Sequence, residues 1–162
     1  VTELSAARLC SHVSFHPVNL YDYMPEVKLS IAALADANFS CTLYLEPDLP
    51  TVEFDPQLIK QALLNLIKNA YEAMEKHGTI HLVVTSTAEF VQLHVIDHGG
   101  GLDPALGNTI YQPFITTKTG GSGLGLAITK QIMESHHGTL TCESRKGDGC
   151  TFTLTLPRTQ AP

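Results

Sequence analysis

The sequence predicts a two-layer α/β sandwich, with helices packed on one face of a mixed, mostly antiparallel sheet. Helical patterns alternate along the chain with strand patterns, and two pairs of strands are separated by short turns, as is typical of this architecture. The chain has 162 residues, of which 43% are hydrophobic and 16% are charged, as in an ordinary globular protein. This length suits one domain with a sizeable core.

The spacing of apolar residues predicts the first helix and the first strand. Apolar residues recur with helical spacing over residues 22–37, despite Pro25 near the start of this helix. Residues 41–45 alternate as a strand. Residues 1–16 carry no strong pattern and are interpreted as a linker or the end of an upstream helix.

The second helix has the clearest beginning in the chain. Asp55 is a suitable N-cap, and Pro56 occupies the first helical position, where its missing N–H costs nothing. We expect the helix to run to about residue 76, with Gly78 just beyond its end.

Two hairpins and a third helix complete the prediction. The hairpin strands cover residues 79–87 with 90–97, and residues 139–143 with 150–156. The helix is predicted over residues 124–137, with Gly138 ending it. Residues 102–121 have no sustained period, and a loop of this length is unusual in a compact domain unless it has a function. The predicted domain therefore spans residues 17–157, and residues 158–162 form a tail.

Charge and hydropathy exclude several classes of protein. The formal net charge is -6, whereas a surface that binds nucleic acid needs clustered lysine and arginine. No apolar run approaches the roughly 20 residues that span a bilayer, and no signal peptide opens the chain. We therefore predict a cytoplasmic domain without direct contact to nucleic acid or membrane. Because the chain begins at Val1 rather than at a methionine, we expect a fragment of a longer protein, whose membrane anchoring the sequence leaves open.

The four cysteines and eight histidines show no spacing typical of a metal site. The adjacent His136 and His137 would point about 100° apart on a helix, so they do not suit one ion. We predict no metal site built from histidine or cysteine, and we expect reduced thiols packed as small apolar groups. The cysteines are Cys10, Cys41, Cys142 and Cys150.

A polar stripe follows the second helix opposite its apolar stripe. The apolar stripe comprises Leu63, Leu66, Ile67, Ala70 and Met74, and the polar stripe comprises Gln61, Asn65, Lys68, Asn69 and Glu72. Asparagine is a poor helix former, because its amide competes for backbone groups. Two asparagines one turn apart indicate either a solvated face or two side-chain amides that hold a ligand, with a carbonyl oxygen available to Mg2+.

Two further segments are rich in glycine, one after Asp97 and one before the third helix. Asp97 ends a predicted strand and is followed by His98 and three glycines, which indicates either a surface turn or a close approach of backbone to a ligand. Gly121, Gly123 and Gly125 run directly into the third helix, whose N-terminal N–H groups are suited to bind phosphate. The Walker, dinucleotide-binding and nucleophile-elbow patterns all fail at these glycines.

Five motifs in order carry a family resemblance. They are Asn65 with Asn69, Asp97-His-Gly-Gly-Gly101, Pro113-Phe114 with Thr116-Thr117-Lys118, Gly121-Ser-Gly-Leu-Gly-Leu126, and Gly147-Asp-Gly-Cys-Thr151. In this order they resemble the N, G1, F, G2 and G3 boxes of the sensor histidine kinase ATP-binding domain, within the gyrase, Hsp90, histidine kinase and MutL superfamily. The short segment Pro113-Phe-Ile-Thr-Thr-Lys118 is loosely similar to the nitrogen-regulation subgroup.

The resemblance implies a Bergerat-type fold with Mg2+ and ATP between the second helix and the long loop, called the lid. The implied magnesium ligand is Asn69, and the implied catalytic residues are Asn65, Asn69 and Lys118. The implied nucleotide-binding residues are Asn65, Asn69, Asp97, Gly99, Gly101, Thr117, Lys118, Gly121, Ser122, Gly123, Leu124, Gly125, Leu126 and Thr151.

In this interpretation Asp97 accepts a hydrogen bond from the adenine amino group, where guanine presents a carbonyl. Gly99 and Gly101 let the chain turn under the base. Leu124 and Leu126 provide apolar packing near the pocket, and Thr151 either bridges to adenine through water or only fills its strand.

Four positions depart from the usual family motifs. His98 and Gly100 stand where asparagine and proline are usual, and Ser122 replaces a common threonine. Glu72 stands where many members carry a lysine that meets phosphate, which leaves that task to Lys118.

Asn65 distinguishes between the branches of the superfamily. Hydrolases and serine kinases place a glutamate there to activate water or a hydroxyl, whereas an amide cannot take a proton. We therefore predict a histidine kinase catalytic domain that phosphorylates a histidine on a separate helical hairpin and acts indirectly on a response regulator. Neither His12 nor His16 lies in an acceptor motif, and the isolated domain is expected to be monomeric. A regulatory domain that binds nucleotide without transfer and an anti-sigma-type serine kinase are the alternatives.

Overall fold

The computed structural model describes residues 12–34, 39–74, 78–98, 124–145 and 149–160. The strands are β1 His16–Val18, β2 Phe39–Leu45, β3 Val52–Phe54, β4 Gly78–Ser86, β5 Phe90–Ile96, β6 Thr139–Arg145 and β7 Gly149–Pro157. The helices in these ranges are α1 Leu20–Leu34, α2 Pro56–Ala73 and α3 Leu124–Ser135. None of these three helices is both long and apolar enough to cross a membrane.

The main sheet has five strands in the order β2-β4-β5-β7-β6. β2 is parallel to β4, and every other neighbouring pair in this sheet is antiparallel. The helices pack against this mixed sheet, which confirms the predicted two-layer sandwich.

Alternation along the strands decides which side chains reach the core. In β5, Val91, Leu93 and Val95 are buried, while Gln92 and His94 are half-exposed on the other face. In α2 the predicted apolar stripe is buried as a whole, which confirms the periodicity argument for this helix. The core therefore lies between the helices and one face of the five-stranded sheet.

Several element ends differ from the predicted ones. α1 begins at Leu20, because the Asn19 side-chain oxygen accepts a hydrogen bond from the Tyr21 N–H at 2.9 Å and caps the helix earlier. α2 ends at Ala73 with Met74 as its C-cap. Gly78, with φ of 116°, lies beyond this C-cap and opens β4.

A small antiparallel sheet of β1 and β3 was missed by the sequence prediction. Val18 pairs with Val52, and His16 pairs with Phe54, whose side chain is fully buried. Strands of three residues are too short to show a period of two. Their pairing depends on a contact distant in sequence that no local pattern reports.

The N-cap of α2 is a junction between distant parts of the chain. Asp55 accepts hydrogen bonds from the N–H groups of Gln57 at 3.0 Å and Leu58 at 3.2 Å, as the N-cap prediction requires. Its second carboxylate oxygen accepts from the Ser14 N–H at 2.9 Å. Its own N–H donates to Nε2 of His136, just beyond α3, at 3.0 Å.

His136 is held as a neutral imidazole. Its side chain is 0% exposed, and its Nδ1 lies 2.8 Å from the Ile132 carbonyl oxygen, to which it donates. Because Nε2 accepts a hydrogen bond from the Asp55 N–H, this nitrogen cannot bind a second proton without losing that hydrogen bond. Burial lowers the pKa of His136, and this effect exceeds the opposing hydrogen bond to Ile132 and the attraction of Asp55.

Acidification is therefore expected to destabilise the fold. A histidine whose pKa is lowered in the folded state contributes stability at pH values above its pKa in the unfolded state, which is near 6.5. This contribution is lost as the pH falls toward the lower pKa of the folded state. We expect the free energy of unfolding, measured with urea, to decrease between about pH 7.5 and about pH 5.5. The decrease should be smaller in His136→Gln and unchanged in the control His12→Gln, at an exposed position. An equal decrease in all three proteins would show that His136 does not carry the effect.

Candidate functional site

The two asparagines of α2 lie on its polar side, next to the buried stripe. Asn65 and Asn69 are both half-buried, whereas the neighbouring Leu66 and Ala70 are buried in the core. The side-chain nitrogen of Asn65 is buried and has no hydrogen-bond partner among the described residues. A buried donor without a partner costs about 1 to 3 kcal/mol, so this amide is suited to an oxygen atom of a ligand.

The beginning of α3 lies directly over these two side chains. A Cβ built on Gly125 would lie 3.8 Å from Cβ and 3.9 Å from Cγ of Asn65, and 4.0 Å from Nδ2 of Asn69. α2 and α3 pack against each other, which fixes this approach. The first turn of α3, whose N–H groups have no partner within the helix, therefore lies beside the two amides.

The structure describes the side chain of only one of the two leucines that flank Gly125. Leu124 is the first residue of α3, but its side chain lies outside the described part. Leu126 is partly buried and packs against the hydrophobic core. The core contact agrees with the apolar packing expected of Leu126 from the sequence.

Asp97 continues the buried face of β5. Since Val91, Leu93 and Val95 face the core, the residue two positions on from Val95 points the same way, and Asp97 is only 2% exposed. Its N–H donates to the Cys150 carbonyl oxygen at 2.9 Å. A carboxylate on the core side at a strand end needs polar partners there.

β7 supports Asp97 through a close backbone contact. Gly149 has φ of 93°, and a Cβ at this position would lie 2.2 Å from the Asp97 carbonyl oxygen and 2.8 Å from Cα of His98. Thr151, two residues further on, pairs with Ile96 and is half-buried. The structure therefore brings Gly149 and Thr151 of the last motif against the end of β5.

Sequence reasoning assigned no role to Gly149, although it lies in a quoted motif. The available signal was the Gly147-Asp-Gly149 turn, which indicates backbone that only glycine adopts easily. The sequence does not give the strand register that places Gly149 against Asp97.

Seven predicted site residues fall outside the described residues, as does the predicted long loop. They are Gly99, Gly101, Thr117, Lys118, Gly121, Ser122 and Gly123. Within the described ranges, no group of three or more His, Cys, Asp or Glu side chains is arranged to hold a metal ion.

Comparison with known proteins decides the family. Residues 54–160 match the family described as histidine kinase-, DNA gyrase B-, and HSP90-like ATPase. The chain belongs to this ATPase family. The matched segment includes α2, β4, β5, α3, β6 and β7, which carry every described site residue.

Curated relatives of this ATPase-family chain are sensor kinases. Sensor histidine kinase ZraS of Escherichia coli K12 is 41% identical over 109 residues, which cover 67% of this chain and 23% of that protein. Sporulation kinase A of Bacillus subtilis 168 is 36% identical over 143 residues, which cover 87% of this chain and 23% of that protein. The chain thus spans less than a quarter of the length of either relative.

Solved structures share the fold over most of the chain. The catalytic domain of histidine kinase ThkA has a TM-score of 0.80 and 30% identity, over 91% of this chain and 99% of that one. Full-length ShkA in complex with AMPPNP has a TM-score of 0.86 and 26% identity, over 99% of this chain and 35% of that one. These matches confirm the family resemblance inferred from the motifs.

Proposed function

We propose that this domain binds Mg-ATP in the cytoplasm and donates the γ-phosphate to a histidine on a separate helical hairpin of a two-component sensor kinase. The observation that carries the proposal is the approach of Gly125, in the first turn of α3, to Asn65 and Asn69. A helix N-terminus beside a buried amide donor is suited to phosphate oxygens. The relatives named sensor histidine kinase ZraS and sporulation kinase A support the same activity.

The adenine end of the pocket is assigned to Asp97. An ionised carboxylate only accepts hydrogen bonds, so it is complementary to the adenine amino group and repels the guanine carbonyl. Gly149 and Cys150 hold the backbone of Asp97 in place. Thr151, half-buried on the neighbouring strand, is the proposed contact to the base through a water molecule.

The phosphate end is assigned to the α2–α3 contact. The Asn65 amide donates to a phosphate oxygen, and the side-chain oxygen of Asn69 is the proposed ligand of Mg2+. When bound, Mg2+ neutralises charge on the phosphate oxygens. Lys118 and the glycines before α3 remain predicted contributors to this end. Mg2+ usually keeps several water ligands and is held by few protein groups together with substrate phosphates, so a single protein ligand would suffice here.

The identity of the side chain at position 65 favours transfer to histidine over hydrolysis. An amide one turn before Asn69 cannot remove a proton from water or from a serine hydroxyl. A neutral histidine ring is itself a nucleophile and does not need a base at that position. The proposed base stands with the acceptor histidine on the hairpin.

A response regulator is the proposed downstream partner. The histidine kinase ThkA has been solved in complex with the response regulator TrrA, and this structure has a TM-score of 0.77 and 28% identity to the chain. The match covers 91% of this chain and 42% of that one. We also propose that dimerisation belongs to the hairpin, so the isolated domain is predicted to be monomeric.

Asp97→Asn tests the adenine assignment. Loss of the charged acceptor removes about 1.5 to 3 kcal/mol of binding free energy, which is about a tenfold to hundredfold increase in the ADP dissociation constant. Titration calorimetry measures the affinity, and circular dichroism verifies the fold. The matched control is Asp48→Asn, because Asp48 is exposed and has φ of 60°, which asparagine tolerates. Unchanged ADP affinity in a folded Asp97→Asn protein would refute the adenine assignment.

A further inference from the structure

Cys142 and Cys150 form a close pair of thiols across β6 and β7. Their Sγ atoms are 3.8 Å apart. Cys142 pairs with Phe152, and Cys150 pairs with Ser144, so the two cysteines are diagonal neighbours on the core side of the sheet. Both are reduced, Cys150 is buried and Cys142 is half-buried.

The pair is linked to Asp97 by backbone and charge. The Cys150 carbonyl oxygen accepts the Asp97 N–H at 2.9 Å, and Gly149 lies against the Asp97 carbonyl. The pKa of Cys142 is raised, first by its hydrogen bond with Cys150, then by burial, and further by the Asp97 and Glu143 carboxylates. The Cys142 thiol therefore lies within electrostatic reach of the proposed adenine acceptor.

We propose that Cys142 and Cys150 are an oxidation site, where a reversible disulfide lowers the affinity for nucleotide. The effect on nucleotide rests on the proposed function of Asp97. Hydrogen peroxide is the oxidant, and the oxidation is slow because the raised pKa of Cys142 keeps its thiol protonated. The O–O bond of the peroxide breaks as one thiol becomes a sulfenic acid and releases water. Attack by the second thiol forms the S–S bond and releases a second water, so two thiols and one peroxide give one disulfide and two waters.

Formation of the bond requires a local shift of the strands. A disulfide has an S–S length of about 2.05 Å and a Cα separation of about 4.4 to 6.8 Å, whereas diagonal neighbours lie about 7 to 8 Å apart. β6 is an edge strand with only β7 beside it in this sheet, so a shift of β6 breaks no other strand pairing. The bond also pulls on Cys150, whose carbonyl oxygen accepts the Asp97 N–H, so the strain reaches the proposed acceptor.

Strain also accounts for reversibility. A disulfide that forms only after strand displacement is more easily reduced than a relaxed one. Cys41 provides an internal comparison, because it lies in β2 at the opposite edge of the sheet. Its Sγ donates to the Thr42 carbonyl oxygen at 3.7 Å, and no other cysteine of the described residues lies in its strand.

Tryptic mapping after peroxide treatment tests the disulfide directly. Trypsin cleaves after Arg145 and Lys146, so a bond between the two cysteines joins two peptides and intact mass falls by two hydrogen atoms. We expect this link in the unmodified chain and in Cys41→Ser, and its absence in Cys142→Ser and Cys150→Ser. Absence of the link, or a link to Cys10 or Cys41 in its place, would overturn the proposal.

Nucleotide affinity tests the consequence. Oxidation should raise the ADP dissociation constant about tenfold, as for the loss of one charged hydrogen bond, and dithiothreitol should restore it. Cys142→Ser should bind ADP equally before and after peroxide. A mapped disulfide with unchanged ADP affinity would overturn the coupling to Asp97. Failure of the reduced chain to bind ADP would instead refute the proposed function, and the tryptic map would still decide the disulfide.

Discussion

Replacement of Asn69 by alanine is expected to abolish phosphotransfer to the histidine of the hairpin while the domain stays folded. Asn69 lies outside the buried stripe of α2, so the core packing does not depend on it. Its side chain lies 4.0 Å from the Cβ position of Gly125, at the proposed phosphate end. Loss of one group that stabilises transition-state charge costs roughly a hundredfold or more in rate.

The measurement for Asn69 is transfer of label from Mg-ATP to the hairpin, with circular dichroism as the test of folding. Asn69→Asp should also fail, because a carboxylate replaces the neutral amide beside the phosphate groups. Lys60→Ala, on the same helix, is the matched control and should transfer at the unmodified rate. Full transfer by a folded Asn69→Ala protein would contradict the magnesium assignment.

Of the substitutions proposed, Gly149→Ala is expected to lower the free energy of unfolding the most. The new Cβ would lie 2.2 Å from the Asp97 carbonyl oxygen, a backbone atom that cannot rotate away, and φ of 93° is strained for any side chain. Overpacking and strain together should lower the free energy of unfolding by about 3 kcal/mol or more, as measured in urea. ADP affinity should fall as well, since Asp97 is displaced.

Gly125→Ala is the comparison for Gly149→Ala. At Gly125 the nearest heavy atoms are at ordinary contact distances of 3.8 to 4.0 Å, so an added methyl fits without ligand. Alanine also favours the helix by about 1 kcal/mol, so stability should be maintained. Affinity for ATP should nevertheless fall, because the methyl occupies the space beside Asn65 and Asn69. Equal stabilities of the two variants would contradict the steric account of Gly149.

The elements predicted correctly are those that depend on interactions within a single helix or strand. The Asp55 cap acts within one turn, and the buried stripe of α2 follows its own period, so both were predictable. β5 was predictable for the same reason, because its alternation shows directly which side chains are buried. The polar stripe with Asn65 and Asn69 was found as the complement of the buried one.

Features that depend on register were not predictable. β5 pairs with β7, which is distant along the chain, and only this pairing brings Gly149 and Cys150 to Asp97. The diagonal approach of Cys142 to Cys150 likewise depends on which residues of β6 and β7 face each other. His136 was considered only as a metal ligand, because its bond to the Asp55 N–H joins two helices that the sequence does not place together.

Incubation with γ-labelled Mg-ATP, with and without the helical hairpin, tests the central claim most directly. We expect acid-labile label on the hairpin histidine, no label on this chain, and very slow ATP hydrolysis by the domain alone, because Asn65 is not a base. Label on this chain alone, or rapid ATP turnover that needs no partner, would contradict the claim and favour the serine-kinase or hydrolase branch of the family.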